Sequence, residues 1–254
     1  MTISDRLTLA TDIAREGGAL ARQMRRAPGQ TVDLKGHQDF VTAADRAVED
    51  LVRMRIADAF PVDGILGEEG GFDGPRERLW IIDPIDGTTN FMRGMPEWAV
   101  SIGWADETQV RMGVIFAPDL DAMAVSDGET ATLNGQPMKV STRTDLTQSM
   151  VQVGWSRRAP FEWHTDMLTS VVGAGSEYRR VGAATIGLLG VAAGWSEAYY
   201  EHYLNIWDAA AGIALVRGAG GAVTTPPLAE MLDKPGPTLA ICAADHPLAD
   251  VLTG

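Results

Sequence analysis

The chain of 254 residues is 45% hydrophobic and carries 34 acidic against 21 basic residues, a net charge of −13. That length and hydrophobic share support a substantial core and exclude disorder over most of the sequence. The negative charge is spread along the chain, which disfavours attraction to nucleic acid or to an anionic membrane. Cys242 is the single cysteine, so an intramolecular disulfide and a cysteine-based zinc cluster are excluded, and its apolar setting reads as core. The first residues lack a basic region followed by an apolar stretch. No run approaches the roughly 18 apolar residues of a membrane span, so a cytoplasmic protein is the expectation.

The elements follow in chain order. Ile3, Leu7, Ala10, Ala14, Ala21 and Met24 recur at helical spacings and predict an amphipathic helix over residues 3–26, ended by Ala27-Pro28-Gly29. A second helix starts after Thr42, which can cap it together with Asp45, and shows an apolar side of Val48, Leu51, Val52, Ile56 and Phe60 before Pro61 stops it. Short strands come next, at 64–67, 79–83, 99–104, 111–116 and 122–126, then a turn at Asn134-Gly135 and a strand near 137–140. This part reads as a largely antiparallel meander. From residue 149 strands and helices alternate: strands near 149–155, 177–181 and 196–201, helices near 161–173, 183–194 and 207–219, then strands near 221–225 and 237–243. Such alternation predicts layered α/β structure, with residues 1–145 and 146–254 as two halves of one compact unit. Trp155 and Trp163, near the start of the second half, read as core.

The strand L-W-I-I-D is apolar until it ends in Asp83, and Pro84 lacks the donor for further pairing. Asp83 and Asp86 then share one tight turn. Gly87, Thr88 and Thr89 follow where a helix can begin, and helix N-termini offer free amides to anions. An acidic surface turn with a capped helix explains the same residues. Glu68 and Glu69 lie in a glycine-rich loop that reads equally as solvated, and Asp208 heads a small-residue helix as a cap would. If Glu68, Asp83, Asp86 and Asp208 converge, each like-charge pair at 4 Å repels by roughly 4 kcal/mol at an effective dielectric near 20, and cations are needed. An all-oxygen donor set points to Mg²⁺ or Mn²⁺.

Together these segments resemble the inositol monophosphatase family, in the lithium-sensitive, metal-dependent phosphatase superfamily. The resemblance runs from about Lys35 to about His246. It rests on Lys35 with Asp39, Val41-Thr42 and Asp45; on Gly67-Glu68-Glu69; on W-I-I-D-P-I-D-G-T-T-N-F at 80–91; on Arg179 with Gly182; and on Trp207-Asp208 with Ala211-Gly212. It implies an αβαβα five-layer sandwich of the type shared with fructose-1,6-bisphosphatase, a homodimer, and Mg²⁺, two or three per site. One metal would be held by Glu68, Asp83 and the carbonyl of Ile85, a second by Asp83, Asp86 and Asp208, and a weaker third through Glu68. Thr88 and Asp45 would form a dyad that orients and helps deprotonate the attacking water. Lys35 and Asp39 would belong to a mobile loop over the site.

Hydrolysis of a phosphate monoester needs a nucleophile near neutral pH, neutralisation of the dianion and stabilisation of the leaving alkoxide. Paired metals and the amides of Gly87 and Thr88 meet these needs for in-line attack without a phosphoenzyme. In inositol-hydrolysing relatives a G-[ST]-A segment and a downstream glutamate contact the ring. The matching residues here are Gly182, Ala183, Ala184 and Glu201, and Ala183 departs from the pattern by lacking the hydroxyl. Arg179 and Arg180, just before this segment, could reach a substrate, another subunit or a salt bridge. The expected activity is hydrolysis of myo-inositol 1-phosphate, with histidinol phosphate or another small polyol phosphate second, and a regulatory interaction protein retaining the fold third.

Overall fold

The computed structural model describes residues 2–26, 32–36 and 39–254, without the side chains of residues 32–42. Helix α1 (Ile3–Arg26) buries Ala10, Ile13, Ala14 and Ala21 completely. Strands β1 (Val32–Gly36) and β2 (Asp39–Thr42) pair as an antiparallel ribbon and lead into α2 (Ala43–Ala59), whose Val48, Val52 and Ile56 are also fully buried. The side chains of Lys35 and Asp39, and the capping group of Thr42, lie outside the described residues.

Next come β3 (Gly64–Gly67), β4 (Gly71–Asp73), β5 (Arg78–Asp86) and the short helix α3 (Thr88–Met92). Strands β6 (Ala99–Asp106), β7 (Val110–Ala117), β8 (Ala122–Ser126), β9 (Ala131–Leu133) and β10 (Gln136–Pro137) complete an eight-stranded sheet of order β10-β9-β8-β7-β6-β5-β3-β4. Its neighbours are antiparallel except β3 and β5. The expected Asn134-Gly135 turn joins β9 to β10, both residues at positive φ. One strand boundary is corrected. Pairing does not stop at Asp83, because Asp83 faces Ser101 and Asp86 faces Ala99, so three steps along β5 match two along β6. A bulge at Pro84 takes up the extra residue and tolerates its missing donor.

Beyond β10 the chain changes sheets. Strand β11 (Met150–Val153), helix α4 (Phe161–Gly173), β12 (Glu177–Arg179), α5 (Ala184–Ala192), β13 (Ala198–Leu204), α6 (Ile206–Gly218), β14 (Ala222–Thr224), α7 (Leu228–Met231), β15 (Gly236–Ile241) and α8 (Leu248–Thr253) follow. The five strands form a mixed sheet of order β12-β11-β13-β15-β14. Helices α1 and α2 cover one face of the large sheet, α5 and α6 lie between the sheets, and α4 and α8 pack together beyond the small one. This is a layered α/β fold. Trp80 and Ile82 face the α1–α2 layer while Leu79 and Ile81 face the central helices, so one strand serves two cores by simple alternation. Cys242 is buried and unpaired, and no helix among the described residues is long and apolar enough to cross a membrane.

Candidate active site

The end of β5 carries two aspartates into the protein, Asp83 only 1% exposed and Asp86 8%. Across the bulge the Ile85 amide donates to Asp83 Oδ1 at 3.1 Å, which holds the first carboxylate against the turn. Gly87 then adopts φ +85°, and a Cβ there would lie 2.9 Å from the Glu97 carbonyl and 3.0 Å from Ala183 Cβ. Only glycine makes that turn without strain. Thr88 starts α3, and its hydroxyl lies 3.0 Å from the Ile85 carbonyl and 3.3 Å from Asp45 Oδ1. Asp45 is 1% exposed, in the first turn of α2.

Asp208 arrives from the other half of the chain, and small residues bring it close. A Cβ on Gly103 would lie 2.8 Å from Ala210 Cβ, and one on Gly113 would lie 2.4 Å from the Ala211 carbonyl oxygen. The two strand glycines thus let α6 rest almost directly on β6 and β7, with Ala209, Ala210 and Ala211 fully buried there. The cap of α6 is Asn205 rather than Asp208, which completes the capping box from the third helical position: its Oδ2 accepts from the backbone and side-chain nitrogens of Asn205, each at 3.1 Å. One carboxylate holds the helix start and faces the aspartates of β5.

Oxygens of Asp83, Asp86 and Asp208 all lie within 4.8 Å of one another. Burial, and then the charges of Glu68, Asp86 and Asp208, push the Asp83 carboxyl well above its ordinary range. Burial likewise raises Asp86, against hydrogen bonds from Thr185 that pull it down. Asp208 is pushed up to about 7, by burial first and then by Asp86 and Glu201. Glu68 sits in the turn after β3, its amide donating to the Ile82 carbonyl at 3.2 Å. Three clustered carboxylates that repel one another and carry only oxygen donors fit a hard divalent cation.

Sequence reasoning missed the groups that hold these ligands. Thr185 donates its amide to Asp86 Oδ2 at 2.7 Å, and its hydroxyl donates to the same oxygen. Glu49 receives the Glu69 and Gly70 amides, each at 2.8 Å, and so fixes the turn that carries Glu68. Asn90 donates to the carbonyls of Glu97 and Val181 at 2.7 and 2.8 Å, tying the α3 turn to the segment before Gly182. Only pairing across 7 to 99 residues reveals these roles.

Beside the carboxylates lies a cleft of about 170 Å³ lined by Asp86, Asp208, Gly182, Ala183, Ala184 and Glu201, among others. Gly182 has φ +81°, Ala183 is buried at the head of α5, and Ala184 opens that helix. Glu201 is 8% exposed and accepts from Tyr199 Oη at 2.7 Å. Burial and the Asp86 charge raise it to about 7, against the Tyr199 hydrogen bond and Arg180, which lower it. Gly154 leaves room for this carboxylate, since a Cβ there would lie 1.9 Å from Glu201 Oε2. The two tryptophans are not core. Trp155 lines the cleft and Trp163 is 51% exposed. Arg180 lies 5.8 Å from the Trp155 ring centre, and Trp163, in the first turn of α4, has its ring 5.4 Å from that of His202. Arg179 is exposed and pairs with Glu177 at 3.0 Å.

Comparison with known proteins agrees with this geometry. The model of the inositol monophosphatase family matches residues 3–245. Nus factor SuhB of Pseudomonas aeruginosa is 38% identical over 228 residues, 86% of this chain and 84% of that protein. Inositol-1-monophosphatase of Rhizobium meliloti is 36% identical over 216 residues, 82% of this chain and 80% of that protein. The crystal structure of extragenic suppressor protein suhB from Bartonella henselae superposes with a TM-score of 0.88 at 32% identity, covering 97% of this chain and 96% of that one. The chain is a phosphoric monoester hydrolase. It belongs to the inositol monophosphatase family, a metal-dependent family.

Proposed function

We propose that the enzyme hydrolyses myo-inositol 1-phosphate to inositol and phosphate with Mg²⁺ as its metal. The observation that carries the reading is the Asp83, Asp86 and Asp208 cluster opening directly onto a cleft that holds Glu201. The convergence of Asp83, Asp86 and Asp208 supports one ion site, and by the resemblance Glu68, Asp83 and the Ile85 carbonyl would hold another. When bound, Mg²⁺ neutralises phosphate charge and makes a water more acidic. Thr88, 3.3 Å from Asp45, orients that water, and the Asp45 carboxylate takes up its proton. The amides of Gly87 and Thr88 bind the phosphate. Glu201 accepts hydrogen bonds from vicinal hydroxyls of the leaving group. Gly182, Ala183 and Ala184 shape the wall beside it.

Histidinol phosphate is the second reading. The Trp155 ring and the Glu201 carboxylate in one cleft suit a flat imidazole and a neighbouring ammonium. A binding role alone is disfavoured, because a cluster of buried carboxylates beside a cleft costs stability and is more readily explained by metal-dependent chemistry. We also read the protein as a homodimer, as the resemblance implies. The test is phosphate release from a panel of inositol 1-phosphate, histidinol phosphate and fructose 1,6-bisphosphate at fixed Mg²⁺. Highest kcat/KM on inositol phosphate is expected, and better turnover of histidinol phosphate overturns the ranking.

A further inference from the structure

Along one side of α6, from Ile206 to Arg217, lies a second cavity, of about 350 Å³. It is lined by the tip of the β6–β7 hairpin, by Ile206, Ile213 and Arg217 along α6, by β14 and by the Pro226-Pro227 turn into α7. Nine residues of helix separate Asp208 from Arg217, about 14 Å at 1.5 Å per residue, so this cavity is distinct from the catalytic cleft. None of its lining residues is shared with that cleft.

Its lining divides into two kinds. Val110, Ile206, Ile213, Val223, Leu228 and Met231 supply an apolar wall, and Ile206, Ile213, Val110 and Met231 are buried in the central core. Against that wall stands Arg217, half-buried, with the hydroxyls of Thr224 and Thr225 and the Gln109 amide on the same cavity. Arg217 makes no ion pair among the described residues, although the chain carries 34 acids against 21 bases. Asp106, on the same hairpin, is occupied by Arg111 at 2.5 Å and by Thr108. Burial draws the guanidinium pKa below its ordinary value without removing the charge.

A cation drawn partly out of water without a counter-charge is costly, and most arginines in such places meet a carboxylate. Ligand pockets combine an apolar wall with a few placed polar groups, at volumes of roughly 300–1,000 Å³. We infer that this cavity binds a small organic anion, its carboxylate or phosphate head on Arg217 and the threonine hydroxyls and its compact apolar body against Ile213, Val223 and Met231. The planar guanidinium takes either head in a two-point hydrogen bond. In this acidic protein the site is a local exception in charge. A neutral molecule of the same shape gains only the apolar part of the contact.

The test uses metal-free protein, in which the active-site carboxylates repel anions. Benzoate and phenylphosphonate, neither of them a phosphate ester, are titrated while amide resonances are followed, with benzyl alcohol as the neutral probe. Shifts are expected at Gln109, Val223, Thr224, Thr225 and Leu228, with both anions binding at least about tenfold more tightly than benzyl alcohol. In Arg217→Gln that preference is lost while the melting temperature is kept. Shifts centred on Gly154 and Gly182, equal affinity for the neutral probe, or unchanged anion affinity in R217Q each overturn the inference. If R217Q fails to fold, the wild-type shift map and the anion preference still decide.

Discussion

Asp208→Asn removes one charge from the cluster and keeps the shape that caps α6. Each pair of carboxylates at 4.8 Å repels by roughly 3.5 kcal/mol at an effective dielectric near 20. Asp208 responds by holding its proton up to about 7, some three pH units above an ordinary aspartate, which corresponds to roughly 4 kcal/mol. Its side chain keeps partial contact with water, so screening reduces the usable effect to about 2 kcal/mol. A carboxyl whose folded pKa is raised is neutral in both states below the unfolded value near 4. Between about pH 4 and 7 the unfolded chain releases the proton while the folded one retains it, so stability falls as pH rises; above 7 the whole penalty is present. Without metal, D208N therefore melts higher than the wild type at pH 8, by about 4–8 °C for a chain of this size, and the gap closes near pH 4. Thermal unfolding in EDTA at both pH values measures this. An equal loss of stability at both, or a gap that widens on acidification, refutes the picture of a repelling cluster relieved by protons or cations.

Thr185→Val deletes the hydroxyl hydrogen bond that helps orient Asp86, and metal affinity by calorimetry is expected to fall by about 10- to 100-fold with little change in melting of the metal-free protein. Lithium is expected to inhibit phosphate release at millimolar-scale concentrations by taking a magnesium position, an analogy from the family that an insensitive enzyme contradicts.

Much of the layout follows from pattern. The 3.6-residue stripe of α1 and the apolar runs of the large sheet are visible because burial repeats locally, and α4 begins and ends where its pattern does. Short elements were missed: β4, β9, α7 and α8 hold three to six residues and owe their form to neighbours rather than to periodicity. The bulge at Pro84 is invisible for a related reason, since it exists only in the register with β6. At the site, Asp83 and Asp86 announce themselves by spacing, whereas Asp208, read alone, is a helix cap, and proves to be the partner of the Asn205 cap. Gly103 and Gly113 look like weak points in strands until α6 is laid against them. Trp155 and Trp163 went wrong through residue type: aromatic bulk suggests a core, but Trp155 lines the cleft and Trp163 stands exposed on the first turn of α4. Thr185 carries no mark of its own, because its partner Asp86 lies 99 residues away.

The central claim is that Asp83, at the centre of the carboxylate cluster, holds the metal that hydrolysis requires. The direct measurement is phosphate release from inositol 1-phosphate as Mg²⁺ is titrated, for wild type and Asp83→Asn, with circular dichroism of both. The account predicts activity in the wild type that vanishes with EDTA and returns with Mg²⁺, and a loss of about a thousandfold or more in D83N with the fold intact. An unchanged rate in D83N, or full wild-type activity in EDTA, contradicts it.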